Sequence, residues 1–408
     1  MTTTETLRTR LLLPAMVLTA FGLYFASLTP QIVTLSIRIA GVAPENKTVA
    51  LSTVILIGAL LSIATLPLFG ALSDRTRGRY GRRRPWLVGG AALALLGLVV
   101  AGSVPSVAGV AAGWALGSLG TGAAFAGFLP LIPEFVPDRL RARLSGLIGF
   151  VVSLSVLSGV LLGSALVDRP LPMLAIPGVV ALGATVVLAY VIRHADQAVP
   201  GAFPRYRFRD FLDSYWLRTG GDRDFAWNWV SRLLLGLAYV GVQTYATYYL
   251  TDTAGLTIDD AAAEYARFTA ISTPIGVVCF LLSGYLSDRL GRRRAFVVVG
   301  AAVLATGLVV AAVTQSLTGF LIGWLILSVG QAVYLTVDIA IAAEVVPDPS
   351  NAGKAMSVYQ VATLLPNVGA PVVAVAVLAV GGYPAFFIVL AVIAVLSAVA
   401  VTFVRRIS

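Results

Sequence analysis

Cysteine and histidine are almost missing from this chain: Cys279 and His194 are the single examples. One cysteine cannot close a disulfide within the chain or build a thiolate metal site. One histidine, in a polar loop, leaves no Ser-His-Asp arrangement and no cluster of metal ligands. No phosphate-binding glycine loop is present, and no cofactor or metal is expected. Charge is scarce as well: 12% of the 408 residues are Asp, Glu, Lys or Arg, against about a quarter in soluble domains. A water-soluble protein of this size could not cover its surface with so little polarity. A membrane enzyme or signalling receptor is not expected either, since these catalytic arrangements and a large soluble domain are missing from the sequence.

What fills the chain is apolar sequence. Hydrophobic residues make up 58% of it, in runs as long as the roughly 20 residues that carry a helix across a bilayer. Runs bounded by charge, glycine or proline are read at 11–37, 49–72, 86–104, 107–133, 144–166 and 172–192. A second set lies at 225–250, 263–286, 295–313, 317–343, 354–380 and 384–404. The spans must be helical, since helices satisfy their backbone hydrogen bonds internally in lipid and no period-two barrel pattern appears. The expectation is an all-α polytopic membrane protein with twelve transmembrane helices. The first run, from Leu11, is too long for the core of a cleaved signal peptide.

The net charge of +10 would suggest nucleic acid in a soluble protein, but its distribution points elsewhere. With a cytoplasmic N-terminus, 24 of the 29 basic residues fall in inner loops and tails, as the positive-inside pattern requires. Both termini are therefore expected in the cytoplasm, in a multi-pass protein of the cytoplasmic membrane, with the lipid bilayer and not nucleic acid as its partner. The longest polar interval divides the chain into a six-helix bundle at 1–193, a cytoplasmic linker at 194–223 and a second bundle at 224–408. Phe203, Phe208, Phe211, Tyr215 and Trp216 lie among arginines there. They fit either an amphipathic segment on the inner leaflet or a plain linker.

The two halves repeat one another. "GALSDRTRGRYGRRRP" from Gly70 and "GYLSDRLGRRRA" from Gly284 each follow the second span of their half. "IPEFVPDRLRARLSG" and "AAEVVPDPSNAGKAMS" follow the fourth and tenth spans, matching Glu134 with Glu344. Parallel six-helix repeats are an arrangement of membrane transporters. The loop from Gly70 to Trp86 resembles the signature between the second and third helices of the major facilitator superfamily. With its arginines running into Pro85-Trp86, it is similar to the glycoside–pentoside–hexuronide:cation symporters and the related sucrose transporters. The resemblance extends to "RDFAWNWVSRLLLGLAYVGVQTYATYYLTD". It implies the major facilitator fold, two parallel-repeat bundles that alternate access to a shared site.

In the basic loops, Gly70 and Gly284 would let helices approach closely. Asp74 can accept hydrogen bonds from Arg75 and Arg82, giving a latch that forms in one arrangement of the halves and breaks in the other. The resemblance implies that Asp74 and Asp288 hold the cytoplasmic side closed. Arg289 and Arg292 repeat the loop arginines, and Glu134 and Glu344 are expected to pair with these cations. The alternative is that the loops set topology alone.

Ionisable residues inside spans are costly and mark function. Arg232 in span seven and Asp338 in span ten both fall about 10 Å from the inner boundary at 1.5 Å per residue, which makes them a candidate buried pair. Burial favours the neutral carboxyl and Arg232 the charged one, so Asp338 is the candidate proton carrier with Arg232 as its counter-ion. A structural ion pair is the competing reading. Polar side chains continue along helical faces: Tyr239 and Gln243 beyond Arg232, Gln331 and Tyr334 before Asp338, Tyr24 and Gln31 on span one, Gln360 and Asn367 on span eleven. Such stripes line a wet cavity or bond helices together. Glutamine and tyrosine suit a hydroxyl-rich solute.

By resemblance, the sodium-using symporters carry aspartates midway along helices two and four. Spans two and four here hold no acid before Glu134, which favours a proton as coupling ion. The function expected is proton-coupled uptake of a small solute, a sugar or glycoside, by a monomer. The alternative is proton-driven efflux of a drug-like compound or secondary metabolite. Against it, span five lacks proline and span four lacks an internal basic residue, both usual in exporters of that superfamily.

Overall fold

The coordinates, a computed structural model, describe residues 3–136, 138–193, 223–344, 359 and 361–405. The chain divides into two compact units, Met1–Arg207 and Phe208–Ser408. Residues 194–222 of the expected linker fall outside the described residues, and Arg223 opens the next helix.

In the first unit, α1 (Thr3–Thr29) runs through a π-turn (Pro30–Thr34) into α2 (Leu35–Val42). Then come α3 (Lys47–Arg75), α4 (Arg84–Ser103), α5 (Val107–Phe128), the short α6 (Leu131–Phe135), α7 (Asp138–Ala165) and α8 (Pro170–Val191). The second unit contains α9 (Arg223–Asp252), α10 (Ile258–Leu290), α11 (Arg293–Thr314), α12 (Leu317–Glu344) and α13 (Pro366–Thr402). Ten of these helical stretches are long and apolar enough to cross a membrane, one of them the 42-residue Val361–Thr402. That stretch breaks at Gly382, whose φ of 61° is a left-handed value suited to glycine, and so supplies spans eleven and twelve. The thirty-residue α9 completes the twelve. It is less apolar than the others because Asp224, Arg232 and Asp252 lie along it. The chain is an all-α polytopic membrane protein.

Local chemistry sets the helix ends. Ser106 caps α5 by accepting from the Gly109 amide at 3.1 Å, and Ser316 caps α12 by accepting from Gly319 at 3.1 Å. Proline opens α4, α8 and α13, where its missing N–H costs nothing. At Pro30 the same missing donor accompanies a π-turn, and the Leu35 amide reaches back to the Pro30 carbonyl.

Glycine sets the closest packing. A Cβ on Gly97 would lie 2.3 Å from the Gly117 nitrogen, and one on Gly120 would lie 2.2 Å from Ala94. These positions hold the backbones of α4 and α5 together. In the second unit a Cβ on Gly307 would meet the Gly323 carbonyl at 2.5 Å, and one on Gly330 would meet Leu304 at 2.4 Å. These hold α11 to α12. Without a hydrophobic force between helices in lipid, such backbone approach is a main source of helix association. The same neighbours recur in each unit: α3 on α5 and α10 on α12, α4 on α8 and α11 on α13.

Polar side chains supply further cross-links. Thr19 of α1 donates to the Ala184 carbonyl of α8 at 3.1 Å, and Ser155 of α7 donates to the Phe21 carbonyl of α1 at 3.1 Å. Arg38 donates to the Ala101 and Val104 carbonyls at 3.2 and 2.9 Å, satisfying the open C-terminal end of α4. The second unit adds an aromatic core in which Tyr249 lies 4.4 Å from the Phe320 ring and 5.4 Å from Tyr383.

Candidate functional site

Two polar clusters stand out, one in each unit. The cluster in the second unit gathers on the face where α9 meets α12 and the approach to α13. Arg232 Nη1 is ion-paired and hydrogen-bonded to Asp338 Oδ2. Asp338 is fully buried, while the Arg232 side chain is 11% exposed. The expected pairing across spans seven and ten is therefore formed. Its surroundings were not expected. Tyr359 donates to Asp338 Oδ1 at 2.5 Å, accepts from Asn228 Nδ2 at 3.2 Å, and offers its ring to the Arg232 guanidinium at 4.7 Å. Arg232 Nε donates to Thr363 at 2.9 Å. Both carboxylate oxygens of Asp338 are thus hydrogen-bonded, the condition under which a buried charge pair is tolerated.

Tyr334 was expected to line a binding cavity. Its side chain is buried instead, its hydroxyl 3.0 Å from that of Ser231. Ser231 is also 3.0 Å from Ser397 Oγ. Tyr334 therefore sits in a hydroxyl knot binding α9, α12 and α13, a correction with a plain cause: the rotation of α12 about its axis turns Tyr334 toward Ser231 of α9 and Ser397 of α13. Gly236, one turn beyond Arg232 on α9, is a close-approach position, where a Cβ would meet Pro366 at 2.8 Å.

The other stripe residues are less enclosed. Tyr239, Gln243, Gln331, Gln31 and Tyr24 are half-buried. Their side chains form no hydrogen bond among the described residues, and Tyr24 packs its ring 5.1 Å from Phe125. Asn367 is half-buried and donates to its own chain at Leu364, 3.3 Å away. Gln360 lies outside the described residues.

The first unit's cluster is built where α3 ends, α4 begins and α6 passes. Its centre is Arg83, which the sequence reading left out. Arg83 Nη2 lies 2.5 Å from Asp74 Oδ1 and 2.6 Å from Glu134 Oε1, and Nη1 donates to Ser73 Oγ at 3.0 Å. Arg82 donates to the same Glu134 oxygen at 2.6 Å. Glu134 thus pairs with the loop arginines as expected, but the partner of Asp74 is Arg83, not Arg75 or Arg82. Arg75 folds back onto the Ala71 carbonyl of its own helix at 3.2 Å. Arg83 is 3% exposed. In an Arg-rich loop, which arginine turns inward depends on the turn, here one with Gly81 at a φ of 87°.

Gly70 does not act as expected: a Cβ there meets nothing within 4 Å. Gly284 does, since a Cβ would come 3.1 Å from the Thr336 methyl. Arg289 donates to Tyr285 one turn away at 3.3 Å, and Arg292 is exposed at the start of α11. The side chains of Asp288 and Glu344 lie outside what is described, so the second clasp is not.

A 36% identical stretch of 80 residues is shared with an MFS-type efflux pump, elcC, of Phaeosphaeria nodorum, but it spans 19% of this chain and 14% of that one. A bacterial homologue of the human lysosomal transporter Spinster, solved inward-facing and occupied, has a TM-score of 0.73 at 15% identity, with 98% and 97% of the two chains covered. A D-xylose-proton symporter has a TM-score of 0.72 at 18% identity, covering 97% and 98%. A POT peptide transporter reaches 0.73 at 13% identity, covering 96% and 93%. At such identities these likenesses speak for the fold alone. The family model of the Major Facilitator Superfamily matches residues 11–280 and 268–408, and this chain, whose described helices pair alike in its two units, belongs to that superfamily.

Proposed function

We propose that this transporter carries a sugar or glycoside into the cell with a proton, by alternating access across the cytoplasmic membrane, with both termini inside. The observation that carries the reading is the Arg232–Asp338 pair, a fully buried carboxylate beside a partly open cation within the spans. Charges of this kind are costly in a membrane and are kept where they do work. Loading a proton on Asp338 breaks the pair, and opening toward one side or the other changes its balance. The open hydrogen-bonding groups of Gln31, Tyr239, Gln243 and Gln331 fit a hydroxyl-rich ligand. The cluster around Arg83 serves as the inner latch. The fold is shared with a protein described as a D-xylose-proton symporter, which is consistent with this reading.

The second reading, proton-driven efflux, is favoured by the 80-residue similarity to an efflux pump. Proteoliposomes with an imposed pH gradient separate the two, using a panel of disaccharides and lipophilic cations. Accumulation of a sugar down an inward proton gradient supports uptake. Extrusion of the cations with no response to any sugar reverses the assignment.

A further inference from the structure

The buried hydroxyl of Tyr359 is a junction with a single hydrogen to give. It donates to Asp338 Oδ1 at 2.5 Å and accepts from Asn228 Nδ2 at 3.2 Å. That order is forced. An ionised carboxylate can only accept, so the tyrosine hydrogen points at Asp338, and Asn228 has to present its N–H end. The other end of the same amide is idle. Asn228 is fully buried, and its Oδ1 is sealed from solvent with no hydrogen-bond partner among the described residues. Buried polar atoms are seldom left in this way, because an unmade hydrogen bond in a packed interior is costly.

Protonation of Asp338 gives the idle oxygen a use. Oδ2 faces the Arg232 guanidinium, which offers donors alone, so an arriving proton rests on Oδ1. That oxygen then donates to Tyr359, and the tyrosine hydrogen has to turn elsewhere. Two oxygens are within reach among the described residues. The Asp338 carbonyl is distant at 3.4 Å and lies inside α12, where the helix ladder uses it. The other is Asn228 Oδ1, once the amide turns half a revolution about its last torsion, which is broad and roughly two-fold in asparagine. The turn forfeits nothing at the far end, since Oδ1 had no partner there. The ionisable groups against Asp338 are Arg232 from α9, Tyr334 from α12 and Tyr359. Tyr334 is engaged by Ser231, and Phe225 adds only a ring 6.4 Å from that of Tyr359.

We infer that Asn228 is a positioning residue whose amide reverses when Asp338 takes a proton, keeping the Tyr359 hydroxyl paired in both charge states. The inference rests on the proposed coupling role of Asp338 and says how a buried carboxyl changes charge without stranding its neighbour. One proton joins Asp338 Oδ1. Tyr359 and Asn228 keep their own hydrogens and only turn, so no further bond forms or breaks. When the proton leaves, the three groups return to the arrangement in the structure. Ionised aspartate at position 228 could only accept, and leucine could do neither. An amide does both within one outline.

The test follows the purified full chain, its asparagine side chains isotope-labelled, by infrared difference spectroscopy from neutral to acidic pH. No solute is needed. In the wild type a protonated-carboxyl band should appear that Asp338→Asn lacks, and an asparagine carbonyl band should shift with the same midpoint. Asn228→Leu should lose the asparagine shift. It should also move the carboxyl midpoint by about one pH unit toward acid, because the protonated state then strands the tyrosine hydrogen. Tyr359→Phe should keep the carboxyl band and silence the asparagine, and it decides the matter if Asn228→Leu does not fold. A carboxyl band with no asparagine shift overturns the inference while leaving Asp338 as the carrier. An Asn228→Leu midpoint that stays in place does the same, as does an asparagine shift that survives in Tyr359→Phe. Absence of any carboxyl band belonging to Asp338 would instead remove the coupling role itself, and the reversing amide with it.

Discussion

At the residue scale, the site turns on what surrounds two charges. Replacing Asp338 by Asn should abolish gradient-driven accumulation while leaving counterflow, since exchange needs no net proton movement; accumulation that persists removes Asp338 as carrier. Tyr359→Phe deletes the hydroxyl that donates to Asp338 and accepts from Asn228. Leaving those buried groups short of a partner costs about 1–3 kcal/mol, so a lowered melting midpoint is expected together with a shifted pH profile of transport. A lowered midpoint with an unmoved profile would make Tyr359 structural only. Arg83→Ala should destabilise the protein more than Arg82→Ala, because Arg83 is 3% exposed and serves Asp74, Glu134 and Ser73, whereas Arg82 is 18% exposed and shares one oxygen of Glu134. Comparable shifts in thermal unfolding would contradict that ranking. Arg232 and Asp338 were legible in the sequence because a charge inside an apolar span is conspicuous. Tyr359 and Asn228 were not, since a tyrosine or asparagine near a span end has no sequence mark distinguishing a network member from a surface residue.

At the element scale, small residues decide the packing. Gly97→Val and Gly330→Val each place a Cβ, with its methyls beyond, 2.3 and 2.4 Å from backbone atoms of the neighbouring helix. Over-packing costs about 1–3 kcal/mol and more where backbone must move, so both variants should lose most of their monodisperse yield on size-exclusion chromatography. Gly70→Ala, with open space around it, should retain its yield, and Gly284→Ala should fall between them. A Gly330→Val protein with normal yield would show that α11 and α12 are not held by backbone contact. The spacing behind this was present in the sequence though not read there. An interval of 210 residues separates Gly90 from Gly300, Gly97 from Gly307, Gly113 from Gly323 and Gly120 from Gly330. The same interval relates the caps Ser106 and Ser316, and Glu134 and Glu344. In α3 and α10 the interval becomes 214, relating Gly58 to Ser272. Gly58 leaves room for the Trp114 indole, whereas Ser272 accepts a hydrogen bond from the corresponding Trp324 at 3.2 Å. The duplicated contact persists with different chemistry.

At the scale of the whole molecule, the proposed orientation with both termini inside rests on the distribution of the arginines and can be measured with the single cysteine. After Cys279→Ser, a cysteine placed at Asn46, in the turn between α2 and α3, should react with an impermeant thiol reagent added outside intact cells. One placed at Arg79, between α3 and α4, should not until the membrane is opened. The reverse pattern would invert the topology. The amino-acid order alone determined the membrane class, the number of spans and the duplication, because these depend on one-dimensional quantities: run length against bilayer thickness, charge between runs, and self-similarity at a fixed interval. It also supplied the Arg232–Asp338 pair, since two unlike charges at equal depth in an apolar setting have few other partners. Tertiary packing decided which of six arginines in one loop is buried, which tyrosine reaches Asp338, and that Tyr334 knots helices while Gly70 touches nothing. Those outcomes depend on the rotation of each helix about its axis and on the path of each turn. Small differences in close packing set both, and no single position in the sequence carries them.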